Sequence, residues 1–115
     1  MASFQFKSTK KSYEIKDENG NLLKTYIVDV GNADTLKAII AKYNALLTKE
    51  KQIRESETSS DSVDALIEMQ KEIVNSLLDN DFEYLWEECG HNVFSMLALL
   101  NDLIGLINEA MRAGQ

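Results

Sequence analysis

Apolar and polar residues alternate over much of the first thirty positions: Phe4 and Phe6, then Tyr13 and Ile15, then Tyr26, Val28 and Val30 each fall on one side of a pleat. Between the last two groups stands Asp17-Glu18-Asn19-Gly20-Asn21. Asn and Gly both tolerate positive φ, so Asn19-Gly20 predicts a hairpin that closes a strand near residues 11 to 16 against one near 22 to 30. An isolated hairpin is marginal in water. Its apolar face needs a layer to lie on, and the rest of the chain offers only helices.

From Gly31 the period lengthens. Leu36, Ile39, Ile40, Tyr43, Leu46 and Leu47 recur at steps of three and four, which predicts a first helix over residues 33 to 54. Asn32 is placed to cap it, Asp34 sits near the positive end of its dipole, and Lys49, Lys51 and Arg54 sit near the negative end. Residues 55 to 62 hold four serines and a threonine with no apolar residue, the composition of a flexible loop. A second helix is expected over 63 to 78, with Asp61 or Ser62 as its cap and Val63, Leu66, Ile67, Val74, Leu77 and Leu78 on its stripe. Asp79-Asn80-Asp81 stops it. A short third helix over 82 to 89 starts with Asn80 and Glu83 in a capping-box-like arrangement and ends at Gly90, a left-handed stop. Asn92 then caps a fourth helix over 93 to 112.

The expected fold class is α+β: an N-terminal β-hairpin or small antiparallel sheet followed by a bundle of about four helices. The whole chain, residues 1 to 115, reads as a single domain. Within it, residues 1 to 31 form the hairpin region, 32 to 54 the first helix with its cap, 55 to 62 the loop, and 63 to 113 the remaining helices.

Charge narrows the choice of partner. The net charge is -7, yet residues 1 to 16 are locally +3, from Lys7, Lys10, Lys11 and Lys16 against Glu14. Residues 55 to 88 are locally -10, with eleven acids against Lys71. Lysines on a strand commonly protect a sheet edge from pairing, and the acidic balance repels polyanions, so no nucleic-acid partner is expected. The apolar stretch over 93 to 107 is shorter than a bilayer needs and is interrupted by Asn101 and Asp102, which predicts no membrane span. A lone Cys89 and a lysine-bearing start without an apolar signal run point to the cytoplasm.

Candidate chemistry is sparse. Glu87-Glu88-Cys89-Gly90-His91 brings carboxylate, thiol and imidazole within five residues, but one Cys and one His cannot supply the spaced ligand pairs of a zinc site. A Cys–His nucleophile would need spatial convergence and an orienting third group, which adjacency in sequence does not give. The five glycines are isolated, so no phosphate loop exists. No catalytic residue, cofactor or metal is expected. Two features point instead to protein binding. The third helix carries Phe82, Tyr84, Leu85 and Trp86, more apolar area than one face of a short helix hides. The fourth helix has a core stripe of Val93, Met96, Leu97, Leu100, Leu103, Ile104, Ile107 and Met111, with Leu99, Leu106 and Ala110 on one margin and Phe94 on the other. Phe82, Leu85, Trp86, Phe94, Leu99 and Leu106 are therefore the candidate protein-binding residues, and self-association is expected.

A hairpin ending in Tyr26-Ile27-Val28-Asp29-Val30-Gly31, a helix with Leu36, Ile39 and Ile40, an acidic helical middle, and Asp81-Phe82-Glu83-Tyr84-Leu85-Trp86-Glu87-Glu88-Cys89-Gly90 leading into an apolar helix form a recognisable order. It resembles the small tail assembly chaperones of long-tailed, siphovirus-type phages and prophages of Gram-positive bacteria. The resemblance implies a non-enzymatic protein of the host cytoplasm, absent from the mature virion. It implies homo-oligomerisation, binding to the tape measure protein and to tail tube subunits, and in many members a longer form made by ribosomal frameshifting. A small dimeric regulatory or adaptor protein of a bacterium or prophage is the alternative, with an acidic surface that meets a basic partner. A small hydrolase using Cys89 and His91 ranks far below both.

Overall fold

The computed structural model describes residues 1 to 56 and 59 to 113. It has an N-terminal two-stranded antiparallel sheet followed by four helices, the expected α+β architecture. Strand β1 (Lys10–Lys16) pairs with β2 (Leu22–Asp29), with Tyr13 opposite Tyr26 and an irregularity at Ile15/Lys16. Asp17 organises the turn. Its carboxylate accepts from the backbone N–H groups of Asn19 and Asn21 at 2.9 and 2.8 Å, and its own C=O accepts from Gly20. Only Gly20 of the Asn-Gly pair takes positive φ, at 83°, so the loop is a turn closed by one left-handed residue and not the two-residue type that needs both.

The alternation at Phe4 and Phe6 does not become a strand. Residues 1 to 9 have no regular structure, because among the described residues the sheet has only β1 and β2 and neither pairs with them. The ladder runs on for one residue, the Val30 N–H donating to the Thr9 carbonyl at 3.0 Å while the Thr9 hydroxyl donates to Asp29 at 2.7 Å. Gly31 is required at this crossing: a Cβ there would lie 2.5 Å from the Thr9 side chain.

Helix α1 (Ala33–Glu55) begins as predicted, with Asn32 accepting from the Thr35 N–H at 3.0 Å. Helix α2 (Ser60–Leu77) starts three residues earlier than expected. Ser59, rather than Asp61 or Ser62, is its cap, accepting from the Ser62 N–H at 3.2 Å. The predicted loop is shortened accordingly; its Glu57 and Thr58 lie outside the described residues. Asp79 and Asn80 adopt left-handed φ of 53° and 58°, which reverses the chain into helix α3 (Phe82–Glu88). Asn80 does not cap α3. The Phe82 N–H donates instead to the Asn75 side chain, from the end of α2, at 3.0 Å. Gly90 and His91 both have positive φ before helix α4 (Val93–Ala113), where Asn92 caps the N–H groups of Phe94 and Ser95.

One core joins these elements. Tyr26, Val28 and Val30 from the β2 side meet Ile39 and Leu46 of α1, Ile73, Val74 and Leu77 of α2, and Leu100, Leu103 and Ile107 of α4. Each such side chain taken from water contributes roughly 1.5 to 3 kcal/mol. Polar fasteners fix the hairpin and α1 onto this core: the Tyr13 hydroxyl donates to Asp102 at 2.5 Å, and Tyr43 donates to Asn101. Among the described residues, Gln70 of α2 is the buried polar one, facing α4; its Nε2 donates to the Val93 carbonyl at 3.1 Å while its Oε1 has no hydrogen-bond partner among them.

Over Val93–Arg112, beyond the apolar stretch of residues 93 to 107, helix α4 is long and apolar enough to cross a bilayer by length and composition alone. In this fold its central stripe, Met96, Leu100, Leu103 and Ile107, packs in the core.

Candidate functional site

The six candidate binding residues separate into three groups. Phe82 and Leu85 are 2% and 3% exposed, members of the core, and so correct the expectation that they face a partner. The physical reason is the reversal at Asp79 and Asn80, which lays α3 back with both residues turned inward. Trp86 is half-buried, stacked on Phe82 at 5.5 Å and on His91 at 5.1 Å between ring centroids. Leu99 and Leu106 are half-buried and pack against the core cluster. Phe94 stands apart at 78% exposed. At 100° per residue it lies about 140° around α4 from Leu99, so the two margins do not form one patch.

Electrostatics holds the hairpin against the α2–α3 reversal. Asp81 accepts from Lys24 and from the Tyr26 hydroxyl, the latter at 2.8 Å. The lysine first and the phenol second hold the Asp81 carboxyl below its ordinary range, while burial and Asp81 push the Tyr26 phenol up. The Lys24 ammonium also lies over the rings of Tyr26 and Tyr84, at 5.1 and 5.6 Å. Tyr84 is thereby occupied, although it faces outward.

The thiol and imidazole of the Glu87-to-His91 segment have separate partners. Cys89 Sγ is directed to the carbonyls of Trp86 and Asn92, at 3.4 and 3.8 Å, whereas His91 Nε2 meets Glu87 at 2.7 Å. Among the described residues, no three His, Cys, Asp or Glu side chains converge to hold a metal ion.

A cleft of about 830 Å³ opens between the hairpin and the α3–α4 junction. Tyr13, Ile15 and Leu23 line it from the hairpin, and Leu85, Met96 and Leu99 from the helices. Its charged lining is acidic: Glu14, Asp17, Glu18 and Glu88 against Lys16. Sequence reasoning singled out Leu99 but missed the cleft, since nothing local says that β1 will pass over α4. It also missed Phe4 and Phe6 as exposed residues, 81% and 89%, because their alternation reads as one face of a strand. No protein family, curated protein or solved structure matches the chain.

Proposed function

We propose that this chain is a non-enzymatic tail assembly chaperone of a long-tailed phage or prophage, which self-associates and binds the tape measure protein and tail tube subunits in the host cytoplasm. The observation that supports this reading most is Phe94, a large aromatic side chain held out into solvent on the first turn of a capped helix. A side chain so placed contributes little to the fold and presents apolar area to a partner. The half-buried margin of Leu99 and Leu106 and the partly exposed Trp86 extend the apolar surface, while the acidic α2 and α3 suit a basic partner segment.

The test is co-expression with a tape measure fragment and a tube subunit encoded beside the same gene. The wild-type chain is expected to keep the fragment soluble and to co-purify with it, and Phe94→Asp is expected to lose co-purification while keeping its helical circular dichroism. A wild-type chain that captures neither protein overturns the reading.

A further inference from the structure

The residues before Thr9 belong to no helix or strand. Phe4 and Phe6 make an edge-to-face contact with each other, ring centroids 5.0 Å apart, and are otherwise open to solvent. The radius of gyration, 16.1 Å, exceeds the roughly 13 Å of a compact chain of this length, as an extended arm requires. We propose that this arm adds a strand to the open edge of β1 in a second copy of the chain, placing Phe4 and Phe6 in the cleft between the hairpin and α4.

The cleft has the form such a strand needs. Among the described residues β1 has one strand neighbour, so the N–H and C=O groups of its other edge are free to pair with an extended segment. Consecutive residues from Tyr13 to Asn19 line the cleft, which therefore runs along the strand and the turn beyond it. Residues two apart on a strand share a face, about 6.8 Å from one another. Phe4 and Phe6 would thus both point to the Leu99 side of the cleft. The arm carries Lys7 and no acid, with Lys10 and Lys11 at its root, opposite a lining with four acids and one lysine.

The occupant is a second copy because of where the arm leaves its own chain. Thr9 is still paired to Val30 and tied to Asp29, so the ladder carries the arm past the end of β2 that lies opposite the turn. Filling its own cleft would require a reversal at Ser8 and Thr9 that disrupts those bonds. Reciprocal exchange gives a closed two-fold dimer. Four phenylalanines, each covering about 150 Å² or more, together with the surface they cover, bring the interface to on the order of 1,200 Å², the lower bound for a stable complex.

The inference does not depend on the assembly role, and its test uses this chain alone. Cys89 lines the cleft and supplies one thiol. A full-length chain with Cys89→Ser and a new thiol in the arm, Ala2→Cys or Ser3→Cys, is mixed with wild type under mild oxidation. Peptide mapping is expected to find an arm thiol bonded to Cys89 of the other copy. In sedimentation, Phe4→Ala with Phe6→Ala is expected to weaken dimerisation by about tenfold or more with the circular dichroism unchanged, since both rings are exposed. A wild-type chain that remains monomeric, a dimer that the double variant does not weaken, or a mixture in which no arm thiol bonds to Cys89 overturns the proposal. Failure to bind a tape measure fragment leaves it intact.

Discussion

Asp81 is the residue at which hairpin and helices are tied, and its charge makes that tie sensitive to acid. Lys24 and Tyr26 hold its carboxyl below the ordinary range, so the unfolded chain takes up the proton at a higher pH than the folded one. The stability it contributes is present above the ordinary carboxylate pKa, about 4, and is lost as pH falls through the lowered value. Asp17 and Asp29 are shifted in the same direction by turn and strand-end hydrogen bonds. Thermal melts at pH 7 and pH 3 should therefore show wild type losing stability on acidification. Asp81→Asn should melt lower at pH 7 and lose less between the two; an equal loss in both chains would assign the acid sensitivity elsewhere. Nothing in the sequence pattern marked this residue, which reads as one more polar position in a helix stop. Its partners are 55 and 57 residues away, beyond the reach of any local rule.

At the scale of elements, caps and stripes were legible and faces were only partly so. Asn32, Asn92 and Gly90 act as the pattern predicts because each stands alone at a change of period. Ser59 was not legible as a cap, since the serines and the acid around it could each fill that position and the choice falls to packing further along α2. The two margins of α4 were visible as apolar area, but which margin meets the hairpin depends on tertiary crossing. Leu99 and Leu106 pack against the core, so replacing them with Asp should unfold or loosen the chain and cannot isolate an interface. Phe94→Ala should change stability by no more than about 0.5 kcal/mol. Leu100→Ala, on the same helix but in the core, should cost about 2 to 5 kcal/mol. Urea denaturation of the two variants compares them directly. Gly31→Ala should displace Thr9 and free the root of the arm, seen as faster amide exchange at Val30.

For the whole molecule, the relevant feature is the separation of charge: a basic N-terminal segment, and acidic α2 and α3 with Lys71 as their one cation, itself paired with Glu83 at 3.3 Å. Such a distribution attracts basic partner segments over about 8 to 10 Å at moderate salt. A contact made through Phe94 would be apolar and would respond weakly to salt. If the chain has the proposed function, capture of a tape measure fragment should therefore weaken between 50 and 500 mM salt yet not vanish, measured by titration calorimetry at each ionic strength. A salt-independent affinity would remove the acidic surface from the contact. Charge separation could be counted from the chain, but the outward extension of its basic end could not, because that follows from Thr9 pairing past the end of β2.

Gln70 gives the α2–α4 contact a preferred alignment. Its Nε2 reaches the Val93 carbonyl, but among the described residues its Oε1 has no partner, so the residue weakens the core it occupies. Two apolar helix faces can slide past one another by a turn at small cost, since one leucine resembles the next. A buried amide cannot, because a slide would remove its one partner as well. Gln70→Leu should raise the melting temperature and, in the same sample, broaden the amide resonances of α4 as alternative alignments become populated. The native chain is then less stable than it could be and better defined, held to one arrangement of its helices.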